Sequence, residues 1–232
     1  MANPVLKSDT FERGLSSEQP MTINGAIGKT VLLLGICAGT AAFAWGSSPT
    51  FLYGGMIVGI ILALILAFKP TLAPVLAPVY AAAEGVFIGS LSAIFEGSMQ
   101  GIVTQALALT AGVFCAMLGA YQMRLIRPTK KFMAVVTGAT LGIMLFYVAS
   151  IAMSAFGMKM PIIHDGPYTI LFSLFVCGIA ALNLIIDFGL IEEGAEVGAP
   201  KYMEWYAGFA LLVTLVWLYI EILRLLYKLR RD

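Results

Sequence analysis

The chain has 232 residues, of which 60% are hydrophobic and 12% charged, and its formal net charge is +1. A soluble domain carries roughly 25% charged residues and a nucleic-acid-binding domain a basic face, so this composition argues against both. The apolar residues gather in runs of roughly 17 or more, each long enough to cross a hydrocarbon layer roughly 30 Å thick. The fold class that follows is an all-α membrane protein with almost no extramembrane mass.

Residues 1–28 are polar and of mixed charge (Lys7, Asp9, Glu12, Arg13, Glu18). No apolar core follows a basic start, so they read as a surface tail rather than a cleavable signal peptide. Seven spans are predicted over 29–45, 51–68, 71–95, 101–123, 131–156, 168–191 and 204–228. They form one membrane domain over 29–228, followed by a short basic end over 229–232. The fourth connection is basic (Arg124, Arg127, Lys130, Lys131), the fifth holds Lys159, His164 and Asp165, and the sixth is acidic (Glu192, Glu193, Glu196, Glu204). Lysines and arginines set orientation. With the N-terminus in the cytoplasm, nine of those in the tail and connections fall inside and only Lys159 outside. Short loops and the absence of a signal peptide fit a bacterial inner membrane. Seven full crossings then leave Arg224, Lys228, Arg230 and Arg231 outside, against the same rule, which singles out the last crossing as either complete or re-entrant.

Four spans carry glycines four apart, Gly35/Gly39, Gly55/Gly59, Gly85/Gly89 and Gly138/Gly142. Each pair shares a helix face and lets a neighbouring backbone approach, which predicts a tight bundle rather than a wide pore. Cys37, Cys115 and Cys177 lie in three different apolar runs and read as small buried hydrophobes rather than a disulfide framework.

Three carboxylates interrupt the apolar runs. Glu84 sits in Ala-Ala-Ala-Glu-Gly-Val-Phe, Asp187 lies one helical turn after Asn183, and Glu221 lies one turn before Arg224. An ionised side chain at the bilayer centre costs roughly 3 kcal/mol even on lenient scales, so such residues are functional candidates. The alternatives are an ion pair of Glu221 with Arg224, water access for Asp187, and a structural hydrogen bond for Glu84. Grouped carboxylates in a dry bundle can share a proton or offer hard oxygen ligands to calcium, and the competition between the two would gate a cation path by pH. With a single histidine, no Gly-x-Ser-x-Gly, no His-Glu-x-x-His and no phosphate-binding loop, no enzyme activity, resident metal or cofactor is expected.

The segments Ala-Leu-Asn-Leu-Ile-Ile-Asp-Phe, ending at Phe188, and Leu-Tyr-Ile-Glu-Ile-Leu-Arg-Leu-Leu, around Glu221, resemble the paired signatures of the Bax inhibitor/YccA family. The resemblance covers roughly residues 25–228. It implies a seven-helix bundle with the last helix at the centre, and Asp187 and Glu221 as an acidic pair sensing pH in a calcium leak. The second member, commonly aspartate in the family, is glutamate here. Lys69 stands where a basic residue would hold the closed state, and it lacks the planar fork of arginine. Counting helical rise, Asp187 and Glu221 fall at different heights, with Glu84 nearer to Glu221, so Glu84 is expected to join or replace a member of the pair. The site is therefore expected at Asp187, Glu221 and Glu84, with Asn183, Arg224 and Lys69 in support and calcium or protons as the permeant species. Asp187 and Glu221 would touch calcium only in passing. The rival expectation is a non-conducting regulator of an ATP-dependent membrane protease or a cell-death factor, acting through the polar tail.

Overall fold

A computed structural model describes residues 20–47, 49–156 and 168–231. Seven helices account for nearly all of them: α1 (Ile23–Phe43), α2 (Pro49–Phe68), α3 (Ala73–Ser98), α4 (Ile102–Gln122), α5 (Lys130–Ala155), α6 (Thr169–Glu196) and α7 (Met203–Arg231). All seven are long and apolar enough to cross a membrane, and the chain is a multi-pass integral membrane protein. Lys159, His164, Asp165 and the first 19 residues of the expected tail lie outside the described residues.

Local chemistry explains where the helices start and stop. α1 begins six residues before its predicted span because Thr22 caps it, its hydroxyl accepting the Gly25 N–H at 2.9 Å. Thr129 does the same for α5 through the Phe132 N–H. A 3-10 turn over Pro70–Leu72 delays the start of α3 to Ala73. Gly101, at φ +76°, turns the chain from α3 into α4. There the Glu96 carboxylate accepts the N–H groups of Gly101 at 2.6 Å and Val103 at 3.1 Å, satisfying donors at the new helix start.

The last helix is the axis of the bundle. α7 packs against α1, α3, α4 and α6, and α5 reaches it through the Tyr147 side chain. Its buried residues include Leu211, Leu212, Thr214, Leu215, Val216, Leu218 and Tyr219. Such a run covers every side of a helix and marks one enclosed all round. Of its most apolar stretch 61% is buried, against 11% for α5 and 17% for α2.

α7 runs the length of the bundle without a break. At its start Glu204 meets Thr22 at the head of α1. At its end Arg230 donates to the Gln100 carbonyl and the Gln105 side chain, between α3 and α4. Arg224 pairs with Glu221 and Lys228 donates to Ser173 at 2.8 Å. Arg224 and Arg230 stay exposed and Lys228 is half-buried, yet each has a partner within the chain.

Two of the four glycine pairs behave as packing surfaces. A Cβ on Gly55 would stand 2.8 Å from the Ala83 carbonyl of α3, and one on Gly85 or Gly89 would collide with the α1 backbone at Cys37 or Ala41. Gly35/Gly39 and Gly138/Gly142 face open space among the described residues, which corrects the expectation of four tight contacts. A small-residue pair creates an approachable face, but the fold decides whether a neighbour uses it. Cys37 and Cys177 are buried free thiols, whereas Cys115 is exposed on the bundle's outer surface, against the expectation for all three.

Candidate functional site

Glu221 sits on the axial helix and is 1% exposed. The Tyr147 hydroxyl of α5 donates across its carboxylate, at 3.0 Å to Oε1 and 3.1 Å to Oε2. Arg224, one turn on, reaches Oε1 at 3.3 Å and lies over the Tyr147 ring, with its own side chain 46% exposed. The ion pair suggested by the one-turn spacing is therefore present, with a phenol added that no local pattern announced. Both groups donate to the Glu221 carboxylate, and the guanidinium charge strengthens the Arg224 contact beyond a neutral hydrogen bond.

Asp187 faces a different neighbourhood. The Thr214 hydroxyl of α7 approaches one carboxylate oxygen, while Oδ2 is buried without a hydrogen-bond partner. The residue lines an open cleft of about 450 Å³ between α2 and α7, whose other walls include Ile60, Ala63 and Ala67 of α2 and Phe209 and Val213 of α7. Asn183 does not support it. Its amide donates to Thr140 of α5 at 2.8 Å and to the Ile179 carbonyl, tying α6 to α5 instead. Lys69 is exposed and forms no ion pair among the described residues.

Glu84 is held by Tyr80, one turn earlier on α3, and its Oε2 lies where a Cβ on Gly59 would come within 2.8 Å. The absent side chain of Gly59 makes room for the carboxylate. Height is read from two contacts: Tyr80 stacks edge-on against Phe209 at 4.9 Å, and Ser92 meets the Tyr219 hydroxyl at 2.6 Å. α3 thus runs alongside α7 in the same direction, which sets Glu84 near Val213 and roughly 12 Å from Glu221. The expectation that Glu84 lies nearer in depth to Glu221 than Asp187 does is corrected. α3 starts later and α7 earlier than their predicted spans, and the two shifts add.

The three carboxylates consequently do not form one cluster. Asp187, opposite Thr214, is about two turns or roughly 10 Å from Glu221 along α7. Glu84 and Asp187 instead lie at nearly the same height beside α2, Glu84 against Gly59 and Asp187 in the cleft that Ile60 and Ala63 also line. Among the described residues, no group of three or more acidic, histidine or cysteine side chains is arranged to hold a metal ion, and a single carboxylate falls short of the six to eight oxygens that calcium takes.

One polar residue hidden in the acidic connection proves structural. Glu204, 3% exposed, accepts the Thr22 N–H at 3.1 Å and the Thr22 hydroxyl at 3.0 Å. Beside it Met21 N–H donates to the Ala199 carbonyl at 2.7 Å, Pro20 bridges to Pro200, and Lys29 lies over the Trp205 ring at 4.5 Å. The chain before α1 is thereby stapled to the start of the axial helix. An acidic residue three positions after Lys201 reads locally as a solvated loop group; only the arrival of α1 shows otherwise.

The chain belongs to the Bax inhibitor 1 like family, whose profile matches residues 3–231. No curated protein matches the chain, and no solved structure does.

Proposed function

We propose that this member of the Bax inhibitor 1 like family is a pH-sensitive cation leak, with calcium as permeant ion and Asp187 and Glu221 as separate stations rather than one proton-sharing dyad. Asp187 carries this reading: an intramembrane carboxylate with a free oxygen beside an open cleft lacks the partners a purely structural group would have. The two stations, roughly 10 Å apart in height, suit a permeant ion held briefly at each rather than bound in a cage. The role requires no catalysis. With the N-terminus in the cytoplasm of a bacterial cell, Asp187 would be the station nearer the cytoplasm and Glu221 the one farther from it. The test is calcium flux into liposomes across a pH series. Asp187→Asn should flatten or displace the pH profile, and a profile identical to that of the unaltered protein would remove Asp187 from the path.

A second reading, a non-conducting regulator of a membrane protease, is favoured by the staple at Pro20–Thr22. A partner gripping the polar tail would pull directly on the start of α7. Deletion of residues 2–19 separates the readings, since it spares Thr22 and the staple. Lost regulation with intact flux favours the regulator, and unchanged regulation excludes a role for the tail.

A further inference from the structure

The α2–α7 cleft combines an apolar wall with one carboxylate whose buried oxygen has no partner. A buried acceptor left unsatisfied costs roughly 1–3 kcal/mol, more when charged, so a ligand that supplies a donor there gains what the protein leaves unmade. That oxygen is itself buried, so a ligand seated in the cleft that Asp187 lines reaches it when the side chain turns outward about Cα–Cβ, between staggered rotamers. The donor set decides the ligand's chemistry. One carboxylate and the Thr214 hydroxyl are far short of the six to eight oxygens that calcium takes, while the remaining walls, such as Ile60, Ala63 and Phe209, are hydrocarbon. Among the described residues the salt bridge of Arg224 goes to Glu221 and Lys228 donates to Ser173, so neither of these two cations of α7 serves Asp187. Glu84, the nearest other carboxylate along α2, is already engaged by Tyr80.

We infer that this cleft is a lateral binding site for a cationic amphiphile, a protonated amine on a hydrocarbon chain, with the ammonium on Asp187 and the chain along α2 and α7. The inference shares Asp187 with the flux reading but not its outcome, because binding in micelles is independent of conduction.

The full chain in detergent micelles is titrated with oleylamine, with oleyl alcohol as the uncharged chain and ethylamine as the charge without a chain. Oleylamine should bind saturably and raise the melting temperature, and the other two should do neither. Asp187→Asn should weaken oleylamine binding by at least about tenfold, as loss of one charge-assisted contact does. Ala63→Phe, which fills the cleft and leaves the carboxylate, should weaken it comparably. Equal binding of oleyl alcohol would reduce the site to a groove for acyl chains and overturn the assignment. So would unaltered affinity in Asp187→Asn, with Glu84→Gln then showing whether Glu84 is the anchor. If Asp187→Asn is recovered unfolded, Ala63→Phe decides: unchanged oleylamine affinity places the amine elsewhere.

Discussion

Glu221 and Asp187 are both carboxylates inside apolar helices, yet the fold treats them in opposite ways. Glu221 is enclosed on the axis and given a phenol and a guanidinium. Asp187, about two turns away, is left with one hydroxyl and an empty oxygen beside a cleft. A fully partnered buried charge is expensive to disturb, because removing one member strands the others. An under-partnered one is cheap to disturb and free to take a ligand. Stability should therefore reside at Glu221 and responsiveness at Asp187.

The comparison can be broken by measuring melting in detergent. Glu221→Ala should cost about 3 kcal/mol, from the lost pair and the cavity left on the axis, moderated because Arg224 can turn outward. Tyr147→Phe removes the phenol alone and should cost about 1.5 kcal/mol, as hydrogen bonds to charged groups do. Asp187→Asn should change stability by less than about 1 kcal/mol while altering the flux profile, because almost nothing in the protein depends on its charge. A loss at Asp187 equal to that at Glu221 would end the division of labour between them.

Run length and composition made the seven helices legible, since any chain with these apolar stretches must satisfy its backbone internally to cross a membrane. The carboxylates were legible for the same reason, standing out against apolar neighbours. Their partners were not. Tyr147 lies 74 residues from Glu221, and its hydroxyl looks like any interfacial tyrosine until α5 docks. Gly35 and Gly55 open equivalent pairs in sequence, yet only the second meets a neighbour. The height of Glu84 is not legible because a hydropathy pattern shows neither the 3-10 turn at Pro70–Leu72 nor the earlier start of α7 at Met203. Glu204 reads as a loop charge in sequence because its acceptor role depends on Thr22, 182 positions away.

The position of α7 also bears on how the protein is made. Chains emerge N-terminus first, and the helix that α1, α3, α4 and α6 all enclose is the last of the seven to leave the ribosome. Until it arrives, its future niche must be filled by lipid or by loosely associated helices. The staple between Met21 and Ala199, and the buried glutamate that follows it, can close only after six helices have been inserted. Assembly of this bundle thus ends with the threading of its axis, and a nascent chain stalled before residue 203 would expose to the bilayer the very surfaces that the finished protein hides.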